Sequence, residues 1–231
     1  MFKKDSDRLV SKKITNFFSR FKAVDCRRGE ILIKAGEPPK GIFYLKKGYV
    51  KMNAIFEDGR ELTLNIYKSG SYFPMFWALT DIPNTYYFQA ITEAQFYCAP
   101  KEKVLLFIQK NPDVLMELTT RILTGVSVLL NNIEYLLSGN SSNRVAAAIL
   151  LCARRFGESS DGKMTIKMPL IHQDVANLAG ITRETASIAM SELQKQEIIS
   201  RKGHFLVILN MKRLENTLHI PQEEPMIPNT L

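Results

Sequence analysis

Residues 169–209 read PLIHQDVANLAGITRETASIAMSELQKQEIISRKGHFLVIL, and the fold follows from how this stretch is punctuated. Two short helical patterns, His172–Leu178 and Thr182–Gln196, flank the turn Ala179-Gly180-Ile181, where glycine permits a positive φ that a side chain resists. In the second pattern Ala186, Ala189, Met190 and Leu193 fall at i, i+3, i+4 and i+7, one apolar stripe. That spacing turns Arg183, Glu184, Ser187, Ile188 and Ser191 outward, and Thr182 stands where an N-cap belongs. Beyond the helix, Ile198-Ile199 and Phe205–Ile208 enclose the basic turn Arg201-Lys202-Gly203-His204, a two-stranded wing. The whole is expected to be a winged helix-turn-helix.

The outward residues suit a DNA major groove. Glu184 in the first turn can accept from a cytosine amine, and Arg183 can reach a phosphate or fork onto guanine. Ser187 bonds either base type, whereas Ile188 can touch only a thymine methyl. Thr182, with His172 and Gln173 on the first helix and Lys202 and His204 on the wing, completes the expected DNA contacts. A plain helical hairpin with a solvated charged face is the alternative, and the wing argues against it.

Thr182-Arg183-Glu184-Thr185 with Ser187, preceded by Gln173-Asp174-Val175-Ala176 and Gly180, resembles the recognition segment of the Crp/Fnr transcription-regulator family. The resemblance implies that Arg183, Glu184 and Ser187 contact an operator half-site. Two positions depart from the family pattern. Ile188 stands where the family often has Arg, which removes a hydrogen-bonding contact and implies a different half-site. Ile171 stands where Thr or Ser usually caps the first helix.

Upstream the period changes. Residues 6–22 read as a short amphipathic helix with Leu9, Ile14, Phe17, Phe18 and Phe21 apolar. From Val24 to Ala99 alternation takes over, as in Leu62, Leu64 and Ile66 against Thr63, Asn65 and Tyr67. Turn signals recur at Gly29, Gly36-Glu-Pro-Pro39, Lys47-Gly48, Asp58-Gly59 and Ser69-Gly70, which predicts an all-β roll or barrel. The string Gly29-Glu30, Gly36-Glu37, Gly41, Tyr44, Gly48, Val50-Lys51 is similar to the cyclic-nucleotide-binding-type β-roll of the same family, so the resemblance spans roughly residues 20–210.

Lys101–Asn111 reads as a helix closed by Pro112. Asp113–Ser138 then runs as a long helix with Leu115, Leu118, Ile122, Val126, Leu129, Ile133 and Leu136/Leu137 recurring every three or four residues. So long a stripe calls for a partner, and the resemblance implies a parallel homodimer across a two-fold axis. Packing against the roll would account for part of it. Ser138–Asn143 reads as a hinge, Arg144–Phe156 as a helix, Gly157–Gly162 as a polar loop, Met164–Met168 as a strand and Met211–His219 as a short helix.

The expected fold is therefore α+β. It has an N-terminal helix and antiparallel, jelly-roll-like β-roll (1–111), a dimerisation helix (112–138), a winged helix-turn-helix (139–220) and a flexible acidic tail (221–231).

Other classes fare poorly. The formal net charge is +8, but residues 1–138 hold 20 basic and 14 acidic side chains and residues 139–231 hold 11 and 9, so the motif rather than the charge carries the DNA reading. Cys26, Cys98 and Cys152 are dispersed and odd in number, fitting buried reduced thiols better than a disulfide set or an iron–sulfur cluster. His172, His204 and His219 all lie outside the roll, which leaves a metal-dependent jelly-roll enzyme without ligands, and no nucleophile–base pair can be assembled. No signal peptide and no membrane span is read, so a cytoplasmic protein is expected.

An effector is sought in Ser69–Pro100. The resemblance implies an Arg-Ser pair for a cyclic nucleotide, yet Thr85 and Tyr86 stand there and the stretch has no Lys or Arg. A buried phosphate without a cation is costly, which disfavours cAMP. Tyr72, Phe73, Phe76, Trp77, Tyr86, Tyr87 and Phe88 instead suggest an apolar or aromatic effector pocket, with Met75 beside them and Leu129, Leu130 and Ile133 of the long helix added. The competing reading is that these rings are simply core. Haem held by Cys98, Met75 or a tyrosine is a further alternative, as is a ligand-independent DNA-binding protein. RNA polymerase is a candidate partner at the Phe56–Arg60 turn, which equally reads as a plain hairpin.

Overall fold

The computed structural model describes residues 2–138 and 140–218; the expected tail at 221–231 and His219 lie outside them. Two compact units emerge, one of Met1–Ile55 with Leu64–Val126, the other of Phe56–Thr63 with Ser127–Leu231.

The first unit opens with α1 (Phe2–Phe18). Val10, Ile14 and Phe18, four residues apart, are buried; Ile14 and Phe18 lie on the expected apolar face, while Leu9 faces solvent and Val10 takes its place. Phe17 stacks on Phe107 at 4.0 Å. The roll follows with β1 (Ala23–Cys26), β2 (Ile31–Ile33), β3 (Ile42–Lys47), β4 (Val50–Ile55), β5 (Glu61–Tyr67) and β6 (Tyr72–Phe73). After the short helix α2 (Met75–Thr80) come β7 (Tyr87–Ala90) and β8 (Ala94–Ala99). They form two antiparallel four-stranded sheets, β1-β8-β3-β6 and β2-β7-β4-β5. Gly48 turns β3 into β4 at φ +95, where a Cβ would come within 2.4 Å of the Glu93 carbonyl oxygen. No other residue fits that turn.

Between the sheets Phe73 stacks on Phe88 at 5.2 Å and lies 4.6 Å from Tyr67, and Phe43, Leu45, Val50 and Phe96 close around them. Tyr72, Tyr44 and Phe18 belong to a separate apolar cluster under α1. The helix α2 was not expected, because Pro74 and the aromatic run conceal its single apolar turn.

The helix α3 (Lys101–Gln109) precedes α4 (Pro112–Ser138). Pro112 opens α4 rather than merely closing α3, since its missing N–H costs nothing in a helix's first turn. Of the expected α4 stripe Leu118 is buried, with Val114 buried beside it, whereas Leu115 is exposed. Ile122, Leu123, Val126, Leu129, Leu130, Ile133 and Leu137 are exposed.

In the second unit α5 (Ser141–Phe156) begins earlier than expected: Asn140 caps it, its side chain accepting from the Asn143 N–H at 2.9 Å, so half of the expected hinge, residues 141–143, is the first helical turn. Val145–Leu150 and Cys152 pack inward. The expected polar loop contains a strand, β9 (Gly157–Ser160), which pairs with β10 (Lys163–Ile166). The helices α6 (His172–Ala179) and α7 (Arg183–Lys195) follow, then β11 (Ile199–Lys202), β12 (Phe205–Ile208) and α8 (Met211–Asn216). The wing is thus a four-stranded sheet, β11-β12-β10-β9, instead of two strands.

Among the described residues no helix is long and apolar enough to cross a membrane, and no group of three or more His, Cys, Asp or Glu could hold a metal ion. The three cysteines are free thiols; burial pushes Cys26 and Cys152 up to about 12, which leaves them inert near neutrality.

Candidate nucleic-acid interface

Two helices and a turn position the candidate side chains. Gly180 ends α6 in the left-handed conformation, φ 61 and ψ 38, as expected of the turn glycine. A Cβ there would meet Leu136 Cδ2 at 3.2 Å. In α7 the Thr182 hydroxyl accepts from the Thr185 N–H at 3.3 Å, and Ala186, Ala189, Met190 and Leu193 are buried. That anchoring presents Thr182, Arg183, Glu184 and Ile188 to solvent with Ser187 half-buried among them; Ile188 is 73% exposed.

At α6 no side-chain cap forms at Ile171; instead the Asp174 carboxylate accepts from the Ile171 backbone N–H at 3.1 Å. Half of a capping box therefore replaces the missing hydroxyl. Ile171, His172, Gln173, Arg183 and Arg201 line an open cavity of about 530 Å³. The Arg201 guanidinium donates to the Leu170 carbonyl at 3.1 Å, which fixes it at the cavity wall. Two guanidiniums, an imidazole and an amide around one hollow suit a phosphate oxygen. Arg201 was not singled out as a contact, because in the sequence it is one of several basic residues at a turn. Lys202 and His204 lie exposed at the wing turn around Gly203.

Burial, then the charges of Arg201 and Arg183, lower the pKa of His172 below its ordinary 6.5. The unfolded chain therefore binds the proton more tightly than the folded one. His172 contributes stability that is present above about 6.5 and lost as pH falls through its lower folded value. The expected result is a Tm that drops more steeply as pH falls below about 6.5 in the wild type than in His172→Gln. Parallel profiles would contradict the assignment.

The aromatic candidates are not brought into one pocket. Phe73 and Phe88 fill the inter-sheet core with Tyr86 packed against it. Tyr72, Met75 and Trp77 join the α1 cluster, and Phe76 is exposed. Leu129, Leu130 and Ile133 belong to the other compact unit and are exposed. The cation absent from Ser69–Pro100 is supplied from α4: Arg121 donates to the Gly70 carbonyl at 3.0 Å, pairs with Glu117 and lies over the Tyr72 ring. Tyr72 donates its hydroxyl to Glu117 at 3.1 Å, and burial followed by the Glu117 charge raises its pKa, so it stays protonated.

Comparison with known proteins agrees with this architecture. A cyclic nucleotide-binding domain family matches residues 23–111, and a Crp-like helix-turn-helix domain family matches residues 143–217. The global nitrogen regulator of Nostoc sp. is 26% identical over 175 residues, 75% of this chain and 78% of that protein. The CRP-like cAMP-activated global transcriptional regulator of Mycobacterium tuberculosis is 26% identical over 191 residues, 83% of this chain and 85% of that protein. Among solved structures, FixK2 from Bradyrhizobium japonicum superposes with a TM-score of 0.72 at 22% identity, covering 84% of this chain and 96% of that one.

Proposed function

The chain belongs to the Crp/Fnr family of DNA-binding transcription regulators, and we propose that it acts as a homodimer that reads a palindromic operator without a bound effector. The observation that carries the DNA reading is α7: its apolar face is buried, and Arg183, Glu184, Ser187 and Ile188 share the opposite, outward one. Two such helices about one DNA turn (~34 Å) apart read successive major-groove half-sites.

The α4 stripe supports the dimer. Ile122, Leu129 and Leu136 against Val126 and Ile133 repeat as d and a positions of a heptad, and β-branched a residues favour a parallel two-stranded pairing. Leu123, Leu130 and Leu137 widen the stripe, an apolar surface too large to leave in water.

The effector-independent reading is supported by Phe73 and Phe88, two of the rings expected to line an aromatic pocket, which instead stack in the core between the sheets with Tyr67.

Glu184→Ala tests the groove assignment. Removing the carboxylate is expected to relax selection at one base pair per half-site by about 1–3 kcal/mol and to leave the other positions unchanged. Site selection on a randomised half-site reads this directly; an unaltered base profile would contradict the role of α7.

A further inference from the structure

The tip of the β4–β5 hairpin, Phe56–Thr63, belongs to the same compact unit as the helix-turn-helix. Its Glu61 carboxylate accepts a hydrogen bond from Asn177 Nδ2 at 2.8 Å, and Asn177 Oδ1 accepts from Gln173 Nε2 at 2.7 Å. Glu61 and, 116 residues further on, Asn177 with its helix neighbour Gln173 thus form one chain of hydrogen bonds. It runs from the hairpin to the helix end that lines the Arg183–Arg201 hollow.

The chemistry of the first member settles the direction of the rest. An ionised carboxylate only accepts, whereas an amide presents a donor on one side and an acceptor on the other. Asn177 is 3% exposed, so its amide cannot turn to water for a partner. Facing Glu61 it must offer its NH₂ group, which leaves its oxygen for Gln173 and draws the Gln173 NH₂ inward. With one N–H so engaged, Gln173 has only the other left to offer the hollow it lines. A phosphate oxygen needs donors, so this arrangement withholds one from it.

We propose that Glu61 is a positioning residue that restrains DNA affinity: through Asn177 it fixes the amide of Gln173 with a donor turned away from the phosphate hollow. This rests on the DNA-binding reading above. The hairpin tip is therefore engaged by the helix-turn-helix, beyond the plain turn or polymerase contact its sequence suggests.

The test reverses the polarity and then restores it. In Glu61→Lys the residue becomes donor-only, Asn177 turns its oxygen to the ammonium, its NH₂ meets the Gln173 oxygen, and both Gln173 N–H groups face the hollow. The full-length variant is expected to bind the selected operator about 30-fold more tightly, as roughly one net hydrogen bond in each of the two half-sites, about fivefold apiece, requires. In Glu61→Lys/Asn177→Asp the new carboxylate accepts from both neighbours, Gln173 regains its original orientation, and affinity returns to that of the wild type. Glu61→Gln has the same net charge as this double variant and no fixed polarity, so its affinity falls between those of the wild type and Glu61→Lys.

Affinities at fixed salt, with a Tm for each variant, decide the matter. A double variant that matches Glu61→Gln would reduce the effect to charge alone and overturn the inference. So would a Glu61→Lys protein that folds and binds no tighter than wild type; should Glu61→Lys not fold, equal affinities for Glu61→Gln and the wild type would overturn it. If the wild type selects no site at all, it is the DNA-binding reading that fails, and this inference falls with it.

Discussion

Leu129→Asp is expected to convert the protein to a monomer and to weaken operator binding about 10²- to 10⁴-fold, the range lost when two linked half-site contacts become independent. Leu129 sits mid-stripe on α4, at a d position between Val126 and Ile133, and the three are 39–48% exposed in the single chain. Burying a side chain of this size against a twin contributes about 1.5–3 kcal/mol. An aspartate there would face its own symmetry mate as a like charge in an apolar seam, and two-fold symmetry places the defect on both helices. Because the monomer's cores do not use Leu129, its Tm as an isolated chain changes little. Sedimentation of wild type and variant, followed by titration on the same operator, checks both halves. A variant that stays dimeric with unchanged affinity would mean that α4 is not the pairing surface.

Phe73→Ala should cost about 3–5 kcal/mol of folding stability, the usual range for emptying a buried aromatic site. The ring is 1% exposed, stacked on Phe88 and in contact range of Tyr67 and Phe43, so its removal leaves a hole that these neighbours cannot fill without abandoning their own contacts. A ligand pocket behaves differently: truncating one wall of an open site loses little stability, and a small aromatic molecule stabilises the wild type. Denaturant titration gives the first quantity and thermal shift with aromatic acids or phenols the second. A loss under about 1 kcal/mol, or a clear stabilisation of the wild type by such a ligand, would restore the effector reading.

Where the residues spoke for themselves, the chemistry was local. The α6–α7 turn was legible because Gly180 has to be a glycine and because four apolar residues recur at helical spacing behind Thr182. The outward set on α7 followed from the same arithmetic. The strand β9 was not legible, since Gly157-Glu-Ser-Ser160 has neither alternation nor β-branched side chains and owes its strand form to backbone pairing with β10. Nor was the fate of the aromatic run: seven rings within seventeen residues look like one cluster, but strand alternation sends Tyr72 and Phe73 to opposite faces and into different cores. Contacts between distant segments were beyond reach altogether. Arg121 arrives beside Tyr72 from α4, and Glu61 reaches Asn177 across 116 positions, with no pattern in either neighbourhood to announce the meeting.

The departures from the family pattern also find their physical places. Ile171 forfeits a hydroxyl cap, and Asp174 compensates by taking the Ile171 N–H from within the helix. Ile188 has no such compensation; it stands exposed on the reading face, able to offer a half-site only an apolar contact.

The measurement that bears most directly on the account is operator selection from a random DNA pool by the purified wild-type protein, with no added effector and at a stated salt concentration. The account predicts strong enrichment of a palindrome whose half-sites lie about one helical turn (~34 Å) apart. Weak binding that falls away with salt and enriches no sequence would contradict it: the resting protein would then lack a component that switches it on.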